Sequence, residues 1–145
     1  MPRFALDTSC MVAAVCSWHE RHAAAAAEIE RRLDDGETLA VAAHALAETY
    51  AVLTRLPEPH RLAPIDAWTL VEANFVERAD VVALDGPAAV ALLASLPGAG
   101  IAGGRTYDAL TARCAQQAVA GALLTFNSRH FDPAPPGVAI VEPGD

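Results

Sequence analysis

The sequence contains no lysine, so all ten of its basic residues are arginines. Acidic residues outnumber them, and the formal net charge at neutral pH is −8. Nonspecific nucleic-acid binding normally depends on many basic residues that neutralise phosphates, so this balance excludes a binder that works by bulk positive charge. Any nucleic acid must instead meet a local group of arginines or a bound metal ion. GC-rich coding explains the arginine usage as readily as selection for bidentate contacts.

Cysteines and long apolar runs are also scarce. Cys10, Cys16 and Cys114 are odd in number and lack a C-x-x-C spacing, which argues against a disulfide framework and a thiolate zinc site. No apolar run reaches the roughly 18 residues of a membrane span. Asp7 interrupts the early apolar stretch too soon for a signal-peptide core. We therefore expect a cytoplasmic protein with reduced thiols and no membrane segment.

Aromatic residues make up only 6% of the chain, whereas hydrophobic residues, chiefly alanine, make up 53%. This composition favours helices and close contacts between small side chains over bulky aromatic packing. With 19% charged residues, the chain has enough apolar material to fold and is not typical of a disordered protein. Its length suits one compact unit, so we expect a single domain over residues 1–145.

Short apolar runs alternate with helical patterns along the chain. Strands are predicted at 3–6, 39–42, 81–84, 122–125 and 138–141, and the main helices at 22–33, 43–56, 65–78, 87–96 and 106–119. The segment 97–105 contains four glycines and is predicted to be a flexible loop. This alternation predicts a three-layer α/β/α fold with a mostly parallel sheet, whose ligand site lies beyond the carboxyl ends of the strands.

Three acidic residues are candidates for that site. Asp7 directly follows the first strand, Glu48 lies in the helix after the second strand, and Asp108 lies in the first turn of the helix after the glycine-rich loop. Taken singly, they are explained as a helix cap, a weak surface pair with Arg55 and a helix-dipole contact. Carboxylates that share a crevice repel unless protons or a cation separate them. Together they predict a Mg²⁺ or Mn²⁺ site suited to phosphodiester hydrolysis.

Five short motifs surround these acids in a defined order: LDTS at 6–9, AET at 47–49, GGRTYD at 103–108, LTFN at 124–127 and RHF at 129–131. In order and spacing they resemble the PIN-domain nucleases, in particular the VapC toxins of toxin–antitoxin pairs, over nearly the whole chain. The resemblance implies a PIN-like fold and cleavage of RNA by a metal-activated water. It also implies a homodimer that a cognate VapB-like antitoxin silences.

The resemblance assigns the metal ligands and catalytic residues. Asp7, Glu48 and Asp108 correspond to the acidic metal-binding positions of the family. Asn127 stands where many members have another aspartate, and an amide oxygen binds cations less strongly than a carboxylate. We therefore expect Asn127 to be a weaker ligand, with one ion of Mg²⁺ or Mn²⁺ held firmly and a second recruited by the substrate.

Other polar residues are expected to bind substrate or support the site. By resemblance, Thr8 or Ser9 orients the first carboxylate or a metal-bound water. Arg105 beside the glycine-rich loop is a candidate for a bidentate phosphate contact, and an ion pair with a nearby acid is an equal alternative. Thr125 either hydrogen-bonds within the site or only ends a strand. His130 is interpreted as a surface or packing histidine.

Two other functions remain compatible with the sequence. Because a carboxylate cluster does not name its substrate, the chain is also compatible with another metal-dependent phosphoester hydrolase that acts on DNA or small phosphates. The neutral Asn127 gives weight to a degenerate PIN module that binds RNA or protein without catalysis.

Three further features are given no functional role. The G-x-G-x-x-G string at 98–103 follows a helix instead of opening a strand-to-helix turn, which argues against dinucleotide binding. His19 and His22 lack a third ligand for zinc. Trp18 and the segment around His60 belong to no motif.

Overall fold

The chain folds around a central sheet of five parallel strands, which a computed structural model describes for residues 2–145. The strands lie in the order β3-β2-β1-β4-β5, and every neighbouring pair is parallel. The predicted mostly parallel sheet is confirmed. In chain order the strands are β1 (Arg3–Leu6), β2 (Thr38–Ala42), β3 (Ala79–Val82), β4 (Ala122–Leu124) and β5 (Ala139–Val141).

Six α-helices connect these strands within the described residues. A π-helical turn at Glu72–Val76 extends the fourth helix, and a 3₁₀ turn at Ser128–Phe131 follows β4. None of the helices in this part of the chain is long and apolar enough to cross a lipid bilayer. The helices are α1 (Thr8–Val15), α2 (His22–Asp34), α3 (Ala43–Thr54), α4 (Pro64–Val71), α5 (Gly86–Ala99) and α6 (Arg105–Gln117).

The first strand supplies core side chains to both faces of the sheet. Phe4 and Leu6 are buried in one hydrophobic cluster with Met11 of α1, whereas Ala5 lies in a second cluster with Ala115 of α6. Successive strand residues point to opposite faces, so a central strand that is apolar throughout must be covered on both sides. This arrangement gives the three-layer α/β/α fold that the sequence predicted.

The predicted loop at 97–105 is shorter than expected, because α5 continues through Pro97 to Ala99. Proline lacks the N–H that a helix interior requires, but only two residues of α5 follow Pro97. Gly100 then ends the helix in the left-handed conformation at φ 70°. The Gly100 N–H donates to the Pro97 carbonyl and the Ile101 N–H donates to the Leu96 carbonyl, each at 3.1 Å, as in a Schellman motif. The irregular part is therefore confined to 100–104.

The edge strand β3 begins two residues earlier than the predicted strand at 81–84. Its boundaries follow from pairing with β2, in which Leu39 faces Ala79 and Val41 faces Val81. Val81 is 47% exposed, since an edge strand is covered less completely than a central one. The hydrophobicity of residues 81–84 therefore predicted boundaries two residues too late.

The strand order reverses between β1 and β4, in the middle of the sheet. From β1 the chain adds β2 and β3 on one side and then crosses to place β4 and β5 on the other. Such a reversal leaves a crevice beyond the carboxyl ends of the two strands. Asp7 follows β1 and its N–H donates to the Leu124 carbonyl of β4 at 3.1 Å, so Asp7 and Thr125 enter this crevice together.

Candidate active site

A cleft of about 780 Å³ opens at this reversal and contains all three predicted acids in its walls. Thr125 does not line the cleft but lies directly beneath it, in contact with Asp7. The predicted residues that line the cleft are Asp7, Thr8, Ser9, Glu48, Arg105, Asp108 and Asn127. The fold therefore brings together residues that are more than one hundred positions apart in the sequence.

Asp7 is only 4% exposed and accepts three hydrogen bonds. As the N-cap of α1, its Oδ1 accepts from the Cys10 N–H at 3.0 Å, and the same oxygen accepts from Ser9 Oγ at 2.6 Å. Its Oδ2 accepts from Thr125 Oγ at 2.5 Å. The helix-cap explanation is confirmed, and the same residue lines the cleft. The bonds hold the carboxylate in one orientation at the floor of the cleft.

The hydroxyls that contact Asp7 are themselves held by the loop after β4. Ser9 Oγ accepts from the Phe126 N–H at 3.0 Å, and Thr125 Oγ accepts from the Asn127 N–H at 2.9 Å. Each hydroxyl therefore donates to the acid and accepts from the backbone. This arrangement fixes the position of the loop that carries Asn127 relative to Asp7.

The electrostatic environment of Asp7 disfavours its charged form. Burial raises the pKa of Asp7, and the negative charge of Asp108 raises it further. The hydrogen bonds from Ser9, Thr125 and the Cys10 N–H act in the opposite direction but are outweighed. A carboxylate in such a position is stabilised by a proton or by a cation.

Glu48 of α3 faces the same cleft and experiences similar effects. Burial raises its pKa, the charge of Asp108 adds to the rise, and a hydrogen bond from the Thr8 hydroxyl opposes it. The predicted partner Arg55 lowers the pKa only slightly. His44 Nε2 lies 3.7 Å from Glu48 Oε1, but burial lowers the pKa of His44 and favours the neutral ring, so this contact is not an ion pair.

Asp108 of α6 contacts a histidine that the sequence did not assign to the site. His130 Nδ1 lies 3.1 Å from Asp108 Oδ2, and both residues line the cleft. The ring of His130 is partly exposed and packs against a candidate acid, so a residue interpreted as a surface or packing histidine also lines the cleft. One turn along α6 from Asp108, the Thr111 Oγ lies 3.0 Å from His44 Nε2, a contact that joins α3 to α6.

Two arginines bring positive charge to the acidic cleft. Arg105 is exposed at its rim, and the acid nearest in sequence, Asp108, pairs with His130 and not with this arginine. The second is Arg21, which lies in the turn before α2 and was not predicted. Its guanidinium lies 4.3 Å above the Phe126 ring, and one nitrogen lies 3.3 Å from Glu142 Oε2.

The donor atoms of the cleft fit a hard divalent ion better than a soft one. Carboxylate, hydroxyl and amide oxygens dominate the lining, and no cysteine contributes to it. However, no three His, Cys, Asp or Glu side chains among residues 2–145 converge closely enough to ligate one ion. The three acids thus line one cleft, with Asp108 directed to His130, and do not form a three-residue ligand set among the described residues.

The fold and the acids at its central strand reversal define a class of protein. The sequence matches the model of the PIN domain over residues 4–134. The chain belongs to this family.

Two proteins of Mycobacterium tuberculosis are more specific relatives. Ribonuclease VapC40 is 39% identical over 112 residues, which cover 77% of this chain and 78% of that protein. Ribonuclease VapC27 is 40% identical over 116 residues, which cover 80% of this chain and 79% of that protein. Within the PIN-domain family, the chain is therefore one of the VapC ribonucleases.

Solved structures show the same fold at low sequence identity. VapBC2 from Rickettsia felis, bound to a DNA fragment from its promoter, is 18% identical and superposes with a TM-score of 0.69 over 97% of this chain and 98% of that one. VapC20 from Mycobacterium tuberculosis, described as a Sarcin-Ricin loop cleaving toxin, is 16% identical with a TM-score of 0.69 over 93% and 98%.

Proposed function

We propose that this protein is a metal-dependent endoribonuclease toxin that hydrolyses RNA phosphodiesters in the cleft at the strand reversal. The observation that carries the proposal is the position of Asp7, a buried carboxylate with Glu48 and Asp108 facing the same cleft. Their mutual repulsion disfavours the metal-free state, and a divalent cation relieves it. Support also comes from relatives at 39% and 40% identity that are named ribonucleases.

The three acids would hold the ion, and Asn127 would offer a neutral amide oxygen beside them. When bound, a divalent ion supplies a Lewis acid for the phosphate and activates a water for attack. Glu48 and Asp108 lie on different helices that face the same cleft, and the proposal requires their side chains to rotate towards Asp7 when the ion binds. We propose that one ion is held by the protein alone and that a second arrives with the RNA.

The surrounding side chains orient the acids and the substrate. Ser9 and Thr125 hold the Asp7 carboxylate in a single orientation, which lowers the reorganisation needed when an ion binds. The Thr8 hydroxyl favours the charged form of Glu48. Arg105 at the rim is placed to hold a substrate phosphate in a bidentate contact.

The proposal includes partners and a compartment. As a VapC-type toxin the protein would act in the cytoplasm, and a cognate VapB-like antitoxin would silence it by covering the acidic cleft.

A homodimer is the proposed form of the free toxin, because half-exposed apolar side chains of α4 and α5 remain uncovered in the single chain. These side chains are Ile65, Trp68, Val90 and Leu93. Co-expression with the neighbouring antitoxin frame, followed by growth assays and light scattering, tests toxicity, neutralisation and dimerisation.

The activity is tested with purified protein on matched substrates. An RNA oligonucleotide, the DNA of the same sequence and a small phosphodiester are each incubated with Mg²⁺, with Mn²⁺ or with EDTA. Cleavage of RNA that requires a divalent ion is expected, and an Asp7→Ala protein purified in the same way controls for contaminating nucleases. Equal cleavage of DNA or the small ester would favour a general phosphoester hydrolase. RNA binding without cleavage would favour a degenerate binding module.

Replacing Asn127 with aspartate is expected to tighten Mg²⁺ binding about 10-fold, because each added carboxylate strengthens a hard-cation site. The new charge enters the cleft, since Asn127 lines it. The matched control is Ser128→Asp, which adds the same charge to the neighbouring exposed residue outside the cleft lining. Isothermal titration calorimetry with Mg²⁺ measures the affinity of both variants for the ion. Equal affinities in the two variants would show that position 127 does not contact the ion.

A further inference from the structure

An exposed aromatic pair lies beside the cleft and has no role in the mechanism above. Trp18, in the turn between α1 and α2, stacks on His60 in the loop between α3 and α4. Their ring centroids are 4.0 Å apart and the planes are inclined by 17°. Trp18 nevertheless remains 47% exposed. The indole is thus supported by the imidazole and still presents apolar surface to solvent.

The turn that carries Trp18 is continuous with the wall of the cleft. His19, Glu20 and Arg21 line the cleft, and the His19 ring contacts the Trp18 ring at a centroid distance of 5.8 Å. The guanidinium of Arg21 stacks over Phe126, whose N–H donates to Ser9 beside the floor of the site. Planar side chains therefore extend from Phe126, in the loop that contacts Ser9, to Trp18 in the turn between α1 and α2.

Exposed planar side chains of this kind can stack on unpaired bases. Proteins bind single-stranded nucleic acid by stacking bases on aromatic rings and on arginine guanidinium planes, and this contact tolerates any base sequence. A net charge of −8 leaves little nonspecific attraction for phosphates, so base stacking adds affinity that the metal site and Arg105 alone do not supply. Glu20 in the same turn repels the phosphates of an RNA backbone, which makes the contribution of base stacking more important.

We propose that Trp18, supported by His60, is a platform on which a base of single-stranded RNA stacks, with the Arg21–Phe126 pair between this platform and the acids. The inference rests on the proposed ribonuclease function and deepens it, since it assigns an unpaired strand as the substrate and a subsite outside the acidic centre. The platform contributes to RNA binding and not to the chemical step.

The test uses the fluorescence of Trp18. The chain has two tryptophans, so a Trp68→Phe background leaves Trp18 as the only one. Adding Asp7→Asn to this background keeps the RNA intact during the titration. A single-stranded RNA octamer in Mg²⁺ is expected to quench the emission of Trp18, whereas the same octamer annealed to its complement, whose bases are already paired and stacked, leaves it unchanged. Absence of quenching at octamer concentrations that saturate binding would overturn the proposal without requiring any change at Trp18.

Variants of Trp18 give a second readout. Trp18→Ala is expected to weaken octamer binding about 10-fold, whereas Trp18→Phe, which keeps a stacking ring, changes it far less. Binding is followed by anisotropy of a labelled octamer, and melting curves confirm folding. In proteins that retain Asp7, Trp18→Ala raises KM for the octamer and leaves kcat unchanged.

The outcomes separate the platform from the ribonuclease function. If the parent protein cleaves RNA and Trp18→Ala binds the octamer as tightly as Trp18→Phe, the platform is wrong and the ribonuclease function stands. If Trp18→Ala instead impairs only neutralisation by the antitoxin, the surface contacts protein and the proposal is overturned. If the parent neither binds nor cleaves RNA, both proposals fail.

Discussion

Replacing Asp7 with asparagine is expected to lower RNA cleavage by at least about 100-fold. Loss of a residue that merely supports a metal ligand commonly reduces activity 10- to 100-fold, so loss of the central ligand's charge should have a larger effect. Asparagine preserves the size of the side chain and an oxygen that accepts from Ser9 and the Cys10 N–H. The fold is therefore retained, and the loss reports on the charge.

The same substitution is expected to raise the stability of the metal-free protein. Burial raises the pKa of Asp7 in the folded state, so the unfolded chain releases this proton at a lower pH than the folded chain does. The stability of the wild-type protein consequently falls as the pH rises from the ordinary aspartate range through the raised value. The asparagine side chain does not titrate, so the stability advantage of the variant grows over the same interval.

Urea unfolding of both proteins at about pH 4 and about pH 8 in EDTA measures this difference. Mg²⁺ is then expected to stabilise the wild-type protein and to have little effect on the variant, since the ion binds only the native site. Normal RNA cleavage by the Asp7→Asn variant would contradict the assignment of Asp7. So would a stability advantage of the variant over the wild type that is smaller at the higher pH than at the lower pH.

Replacing Asp108 with asparagine is expected to lower cleavage to a similar extent with little change in stability. Asp108 is more exposed than Asp7, with 24% of its side chain accessible, and asparagine still offers an oxygen to His130. Its contribution to the fold is limited to the favourable position of an acid in the first turn of α6, about 0.3–1 kcal/mol.

The matched control for this prediction is Asp66→Asn. Asp66 also lies in the first turn of a helix, α4, but is exposed and does not line the cleft. Both variants should lose a similar small amount of stability, and only Asp108→Asn should lose cleavage in initial-rate assays with RNA. Similar losses of cleavage in both would show that helix stability, and not the cleft, explains the effect.

The sequence predicted the layers and most elements of the fold because its hydrophobic pattern is determined by burial. The run at Arg3–Leu6 is buried on both faces, and its prediction as a strand is confirmed. The hydrophobic pattern does not predict the ends of an element where other interactions set them. Pairing with β2 sets the limits of β3, and hydrogen bonds around Gly100 allow α5 to extend past Pro97. Neither interaction is visible in local periodicity.

The three acids were predicted to meet because parallel strands end at one edge, and they do line one cleft. The same argument does not give the side-chain directions, which depend on the local charges and partners. Asp108 contacts His130, and Arg55, the partner of Glu48 in the alternative surface-pair explanation, has only a minor effect on the pKa of Glu48. Arg21 was missed since it belongs to a turn between two helices, away from every strand end. Its proximity to Phe126 follows only from the folded chain.

The location of the bound ion tests the central claim most directly. Crystals of the full chain grown with Mn²⁺ give an anomalous signal that identifies the metal without reference to activity. We predict a peak in the cleft, with carboxylate oxygens of Asp7 and Asp108 at about 2.1 Å and Glu48 turned towards it. A protein that cleaves RNA but shows no Mn²⁺ peak between these acids, or binds the ion elsewhere, would contradict the account.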